Sequence, residues 1–279
     1  MGILINFVKQ WIAGENLEEA IERSKKLNEK GIGVILNFLG EELKDKKSVE
    51  ETVEEYFRMI DLLKKENING YLSVKLTQLG LNIDEKYCFE NLKKIAWKCF
   101  KNSKMLWIDM ESSDYTQKTI DIYLKIFRLY KNVGLCIQSY LKRSENDVKR
   151  LLKKRGIIRL VKGAYKESEK VVFKKKEEIN KNFLKIMKIL FKRSKNYFAI
   201  ATHDEKLIKE AIKLSKKYKK NFEFEMLFGV RERLKPLILK QGFKLKVYVP
   251  YGKDWIPYVL RRIREKPSYL IFAFKSIFI

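Results

Sequence analysis

The stretch IIRLVK, residues 157–162, shows the pattern that decides the fold of this chain. Its apolar positions are typical of a buried strand, yet it ends in a lysine that the interior of a sheet would exclude. Seven other stretches have a similar form, and nearly all of them end in a polar residue: VILNF (34–38), YLSVK (71–75), LWID (106–109), LCIQ (135–138), FAIATH (198–203), FEFEML (222–227) and KVYVP (246–250). The sequence therefore predicts eight strands.

Segments with helical periodicity separate these strands, and an alternation of eight strands with helices is typical of the α/β class, as a (β/α)8 TIM-type barrel. Asn16 and Glu19 have the spacing of a capping box, which predicts an extra helix before the first strand. A doubly wound sheet is the competing architecture. It favours a glycine-rich turn after the first strand, and NFLGE (37–41) stands there instead, so we expect the barrel.

Two details of the helices can also be predicted. Ser48 and Glu51 repeat the capping-box spacing, which places the start of the next helix at Ser48. The longest helix is expected at about residues 168–194, with Ile179, Phe183, Ile186 and Leu190 on its buried side.

The composition indicates a single domain over residues 1–279, because no Pro/Gly/Ser-rich linker interrupts the chain. Three cysteines without a CxxC motif are typical of a reducing cytoplasm. We find neither a membrane-spanning stretch nor the basic start of a signal peptide, and we expect a cytoplasmic protein.

The net charge of +26 has two interpretations. A basic surface can bind nucleic acid or an anionic membrane, whereas a lysine-rich proteome places lysines on solvated helix faces without any partner. The lysines are spread over every predicted helix, which favours the second interpretation. We therefore expect no nucleic acid, and we keep peripheral contact with the inner face of a membrane as an option.

The ends of the strands suggest an active site, because the catalytic groups of a barrel lie at the carboxyl ends of its strands. Any one of these polar residues could form a simple salt bridge or face solvent. Together they form a cation-rich set with one histidine and no metal-binding motif, which suits a phosphate-bearing cofactor, a carboxylate substrate or both. The set comprises Lys75, Asp109, Gln138, Arg159, Lys162, Thr202, His203, Glu225 and Tyr248.

Two further features fit anionic ligands. Gly163 and Ala164 follow Lys162 and permit close approach of a pyrophosphate, although a glycine after a strand is usually only a turn. In the predicted helix after the last strand, Tyr258, Arg261 and Arg262 share one face, where the arginines could grip a carboxylate. An arginine pair on a solvated face is the alternative.

Seven motifs at these strand ends resemble those of the proline dehydrogenase family. They are SVKLTQLGL (73–81), WIDMESSDYTQKT (107–119), CIQSYLKR (136–143), LVKGAYK (160–166), IATHD (200–204), FEFEMLFGVR (222–231) and VYVPYGKDWIPYVLRR (247–262). The resemblance implies a distorted barrel that binds FAD over its mouth and oxidises L-proline to Δ1-pyrroline-5-carboxylate. Hydride would pass from C5 to the flavin N5, and a membrane quinone would accept the electrons.

The resemblance also assigns roles to residues. Asp109 and Arg159 would be catalytic, and Arg159 would lie near the flavin N5. The residues that match substrate contacts are Lys75, Tyr248, Tyr258, Arg261 and Arg262, and those that match FAD contacts are Met110, Gln138, Lys162, Gly163, Ala164, Thr202 and His203. Glu41 would form an ion pair with the arginines. Glu225 departs from the family, which more often has Gln there.

Two alternatives stay open at this stage. A flavin-dependent barrel could oxidise a related cyclic or N-alkyl amino acid, such as hydroxyproline or pipecolate. A basic nucleic-acid-binding barrel is the other, and only the net charge supports it. The sequence leaves the oligomeric state open.

Overall fold

Eight parallel strands form a closed barrel, and each strand pairs with the next one in chain order. The computed structural model describes residues 10–265. Strand β8 closes the barrel on β1 over six residue pairs, from Gly33 with Lys246 to Phe38 with Tyr251. The predicted (β/α)8 architecture is confirmed.

The strands lie within a few residues of the predicted stretches. They are β1 Gly33–Phe38, β2 Gly70–Val74, β3 Leu106–Ile108, β4 Val133–Gln138, β5 Ile158–Val161, β6 Phe198–Ala201, β7 Phe222–Leu227 and β8 Leu245–Tyr251. The helices are α1 Leu17–Asn28, α2 Lys46–Lys65, α3 Glu85–Lys101, α4 Thr116–Leu129, α5 Ser144–Lys153, α6 Lys176–Arg193, α7 Glu205–Lys217, α8 Lys235–Lys240 and α9 Trp255–Glu265. Three short 3-10 helices lie at Leu76–Leu79, Ser113–Tyr115 and Glu232–Leu234.

Helix α1 begins as its sequence predicts. The Asn16 side chain accepts a hydrogen bond from Glu19 N at 2.9 Å and donates one to the Glu19 carboxylate at 2.8 Å. The buried side of the helix includes Leu17, Ile21 and Leu27. The segment before α1 belongs to the mouth of the barrel, since Ala13 N donates to Pro250 O at 2.8 Å.

Two predictions about helices were wrong. Helix α2 begins at Lys46 because Asp45, not Ser48, caps it and accepts from Ser48 N at 2.9 Å. The helix expected at residues 168–194 begins only at Lys176, and α2 is longer, with 20 residues against 18. Residues 171–173 are drawn to the loop after β4 instead: Phe173 N donates to Tyr140 O at 2.8 Å.

The apolar core lies between the outward faces of the strands and the helices. One cluster joins strand residues such as Leu36, Leu72 and Ile158 with helix residues such as Ile60, Leu92 and Ile186. A second cluster packs the N-terminal segment against the last helix, with Trp11 and Ile12 against Tyr258 and Val259. This packing holds α9 close to the mouth. Within residues 10–265, no helix has the length and apolar character to cross a membrane.

Candidate active site

Asp109 is the hub of the polar network in the barrel mouth. It follows β3, and its Oδ1 accepts hydrogen bonds from Ser73 Oγ at 2.7 Å and from Arg159 Nη2 at 3.0 Å. Its Oδ2 accepts from the Tyr248 hydroxyl at 2.7 Å and lies 3.8 Å from Lys75 Nζ. Burial alone would raise the pKa of Asp109, but Arg159 and Lys75 hold that pKa below its ordinary value. The network therefore keeps this carboxylate ionised.

Arg159 projects from β5 into the barrel and is only 3% exposed. Its guanidinium lies 4.7 Å from the centre of the Trp107 ring and 5.7 Å from that of Tyr248. Besides Asp109 it meets a second acid, with Nη1 at 3.3 Å from Glu225 Oε2. Burial would lower the pKa of Arg159, but Glu225 and Asp109 raise it, so the cation persists at every accessible pH.

Glu225 differs in position from the sequence-based expectation. It was expected at the rim among the other strand ends, but the side chain is 2% exposed and points into the barrel against Arg159. The reason is its place on β7, which continues to Leu227, so Glu225 lies inside the strand and not after it.

Glu41 and Arg261 connect the loop after β1 to helix α9. Glu41 Oε1 lies 2.5 Å from Arg261 Nη1, and Glu41 Oε2 accepts from the Tyr165 hydroxyl at 2.9 Å. The Arg261 guanidinium also lies 5.2 Å from the centre of the Tyr165 ring. The ion pair expected between Glu41 and the arginines is thus formed with Arg261.

Arg262 has different surroundings from its neighbour. Its guanidinium lies 5.2 Å from the centre of the buried Tyr258 ring. It also contributes to the electrostatic field at His203, which follows β6. The structure therefore brings both arginines to the mouth on α9 but places them against different groups.

The residues predicted to bind the cofactor lie along the ends of β3 to β6. Gln138 Nε2 donates to Glu111 O at 2.9 Å, and Lys162 Nζ lies 2.9 Å from Asp204 Oδ2. Thr202 and Met110 are buried. His203 Nε2 accepts from Leu227 N at 2.9 Å, which assigns the ring proton to Nδ1.

His203 is neutral because of its surroundings. Burial and the nearby Arg262, Lys235 and Arg231 lower the pKa of His203 to about 3. Such a concentration of cations around a neutral donor suits the phosphates of a dinucleotide.

Gly163 provides close approach of the backbone beside Lys162. Its φ is +110°, and a Cβ atom there would lie 2.3 Å from Cδ1 of Tyr140. Only glycine fits this position without displacing an aromatic ring. Ala164, which follows, is half-buried.

These residues fit a flavin dinucleotide. Two buried polar atoms, Arg159 Nε and Ser139 Oγ, have no hydrogen-bond partner within the described part of the chain. Buried polar atoms of this kind usually have a partner, and a bound ligand can supply it. Together with the cations around His203 and the close backbone approach beside Lys162, these donors suit the polar ring and the phosphates of a flavin dinucleotide.

Sequence reasoning missed several members of the site. Ser73 precedes Lys75 by two positions and therefore faces the same side of β2, a signal that alternation could have given. Glu111 is buried, and its carboxylate accepts from Thr77 N at 3.1 Å and from Thr77 Oγ1 at 2.5 Å. Burial raises the pKa of Glu111 to about 7. No periodicity marks Glu111, because it lies in a loop.

The fold and the site together define a barrel enzyme with a cation-rich mouth suited to an anionic substrate and an anionic cofactor. Comparison with known proteins makes this specific. The family described as proline dehydrogenase matches residues 20–272, and the chain belongs to that family. It is an oxidoreductase.

Curated relatives agree over almost the whole chain. Proline dehydrogenase 2 of Bacillus subtilis (strain 168) is 38% identical over 269 residues, which are 95% of this chain and 88% of that protein. The proline dehydrogenase of Deinococcus radiodurans is 32% identical over 286 residues, 98% of this chain and 90% of that one. These relatives do not favour the nucleic-acid-binding alternative or a different amino acid as substrate.

A solved structure shows the same fold. Proline utilization A (PutA) from Bdellovibrio bacteriovorus, inactivated by N-propargylglycine, superposes with a TM-score of 0.87 at 23% identity. The match covers 93% of this chain but only 32% of that longer protein, so the chain spans about a third of its length.

Proposed function

We propose that the enzyme oxidises L-proline to Δ1-pyrroline-5-carboxylate with FAD as its cofactor, in the first step of proline catabolism to glutamate. The observation that supports this most directly is the arrangement at the mouth. Lys75, after β2, lies 3.8 Å from Asp109, which pairs with the buried Arg159, and α9 contributes the Arg261 cation, which pairs with Glu41.

The cations of Lys75, Arg261 and Arg262 bind the substrate carboxylate. Because Arg261 is paired with Glu41, substrate binding exchanges one carboxylate for another on the same guanidinium. Tyr248 and Tyr258 enclose the pyrrolidine ring, and this orientation turns C5 toward the cofactor.

A bound FAD would supply the hydride acceptor for the oxidation of proline at C5. Met110, Gln138, Lys162, Gly163, Ala164, Thr202 and His203 would hold it. The Arg159 cation stabilises the negative charge that develops at the mouth during oxidation. Asp109 fixes Arg159 and Tyr248 through the hydrogen bonds described above and is the positioning acid of the pair.

A purified sample tests the proposal. We expect a yellow protein after reconstitution with FAD that bleaches anaerobically with L-proline faster than with hydroxyproline or pipecolate. A protein that stays colourless, or that bleaches only with another amino acid, would contradict the proposal.

Variants of helix α9 test the carboxylate site. Arg261→Met and Arg262→Met should each raise the proline KM about tenfold or more, the effect of losing ~1.4 kcal/mol or more of binding, with much smaller changes in flavin content. Arg264→Met is the matched control, because Arg264 is exposed on the same helix. Loss of flavin with an unchanged KM in Arg262→Met would assign Arg262 to the cofactor instead.

We also propose that a membrane quinone accepts the electrons, and that the protein is cytoplasmic with peripheral contact to the inner face of the membrane. The net charge of +26 supports attraction to anionic lipid. Co-sedimentation with phosphatidylglycerol vesicles should occur at low salt and decline at high salt. Equal binding to neutral vesicles would contradict the electrostatic contact.

A further inference from the structure

Glu225 is a buried acid that the proposed reaction does not use. One of its carboxylate oxygens, Oε2, lies 3.3 Å from Arg159 Nη1. The other, Oε1, is buried and has no hydrogen-bond partner among residues 10–265. A carboxyl group with one free oxygen can hold a proton there without breaking its contact with Arg159.

Several charged and titratable groups surround Glu225 inside the barrel. Glu223 precedes it by two positions on the same strand and is equally buried. The groups that interact with the Glu225 charge from other elements are Tyr71 on β2, Asp109 after β3, Cys136 on β4, Arg159 on β5, Tyr197 before β6 and Lys246 on β8. Arg159 therefore lies between two acids, Glu225 below and Asp109 at the mouth.

The two acids differ in their protonation. Burial raises the pKa of Glu225 to about 8, with a further increase from Glu223, while Arg159 and Lys246 oppose it. Asp109 accepts three hydrogen bonds and has a lowered pKa. Asp109 is therefore the acid held in its ionised form, whereas burial favours the neutral form of Glu225.

We propose that Glu225 is a positioning residue that sets, through Arg159, the charge that the barrel interior presents to a flavin bound at the mouth. This inference rests on the proposed function, because it requires flavin there. A protonated Glu225 leaves part of the Arg159 charge uncompensated, which favours the electron-rich reduced flavin. An ionised Glu225 offsets that charge and disfavours reduction.

Linkage makes the effect reciprocal. Two electrons from the reductant add negative charge at the mouth, so the Glu225 carboxylate binds a proton from solvent and becomes a neutral acid. The proton returns to solvent when the flavin is reoxidised. Above pH 8, where the carboxylate is otherwise ionised, reduction therefore consumes one proton more than the flavin alone requires.

The test is the midpoint potential of the FAD-loaded protein between pH 6 and 10. Reduction by dithionite against reference dyes avoids any dependence on proline. In the wild type we expect the midpoint potential to fall more steeply with pH above pH 8. The added slope should correspond to one additional proton taken up per two electrons. In Glu225→Gln the additional slope should be absent, while the potential at pH 6 stays near that of the wild type.

Glu223→Gln is the matched control on the same strand. Removal of its charge eliminates a repulsion that raises the pKa of Glu225, so the steeper region should persist and move to lower pH. This second variant also provides the test if Glu225→Gln fails to fold.

Two results would overturn the inference. One is a wild-type midpoint potential whose dependence on pH does not steepen above pH 8, and the other is a steeper dependence that persists in Glu225→Gln. Flavin binding and bleaching by proline would then still support the proposed function. A protein that binds no FAD would overturn the proposed function and this inference together.

Discussion

Arg159 and Asp109 form an ion pair inside the barrel, with Arg159 Nη2 at 3.0 Å from Asp109 Oδ1. Ser73 Oγ donates to the same Asp109 oxygen and accepts from Arg159 Nη2 at 2.8 Å, so one hydroxyl bridges both partners. The triangle joins β2, β5 and the end of β3 across the barrel axis. Separate strands are thereby tied together at the point where the proposed chemistry takes place.

Asp109→Asn should destabilise the protein. The substitution leaves Arg159 buried with only one acid, and breaking a buried pair in this way costs about 3 kcal/mol. Ser73→Ala removes only the bridging hydroxyl and should cost about 1 kcal/mol. Urea denaturation at pH 7 measures both, and equal midpoints for Asp109→Asn and the wild type would contradict the structural role.

The stability that Asp109 contributes should depend on pH. Its pKa is lower in the folded state than in the unfolded chain, so the contribution is present above pH ~4, the unfolded value, and is lost as pH falls through the folded value. The difference in stability between the wild type and Asp109→Asn should therefore shrink in acid. A difference that grows as the pH falls would contradict the assignment.

The single histidine should make the protein sensitive to mild acid. In the unfolded chain His203 binds a proton near pH ~6.5, whereas in the folded state it binds one only near pH 3. The free energy of unfolding therefore decreases as the pH falls between these two values. From pH 6.5 to 5 the wild type should lose about 2 kcal/mol more than His203→Gln. Thermal denaturation at both values of pH measures this difference, and parallel losses in the two proteins would exclude His203 as the cause.

Gly163→Ala should disturb both stability and cofactor binding. The new Cβ would lie 2.3 Å from the Tyr140 ring, in addition to the cost of a positive φ. Gly31→Ala is the control, because its φ of +73° is also positive but its Cβ would meet nothing within 4 Å. We expect the control to lose about 1 kcal/mol and keep its flavin affinity. Gly163→Ala should lose at least twice as much and bind flavin more weakly, and similar behaviour of the two variants would contradict the steric argument.

The cysteines should be inert in the folded protein. All three are free and buried, and burial raises the pKa of Cys88, Cys99 and Cys136. A thiol reagent at pH 8 should therefore label none of them rapidly in native protein and all three in urea. Rapid native labelling of Cys136 would show that the barrel interior opens.

The fold could be predicted from the sequence because each strand is marked by its own short run of apolar residues. Short apolar runs such as FEFEML (222–227) and periodic segments such as Leu17 to Leu27 depend on neighbours within one element. The helix start at Lys176 was missed because residues 171–173 bond to the loop after β4, a contact that no local pattern records.

The sequence by itself determined the order of strands and helices, the helix cap at Asn16 and the polar residues that the strand ends would carry, because all of these follow from local periodicity and spacing. Only the tertiary structure decided how those residues pair. It placed Glu225 inside the barrel against Arg159, Glu41 on Arg261, and Ser73 between Arg159 and Asp109. The physical reason is that these contacts join residues 36 to 220 positions apart in the sequence, so their distances are set only when the barrel closes and α9 packs against the N-terminal segment.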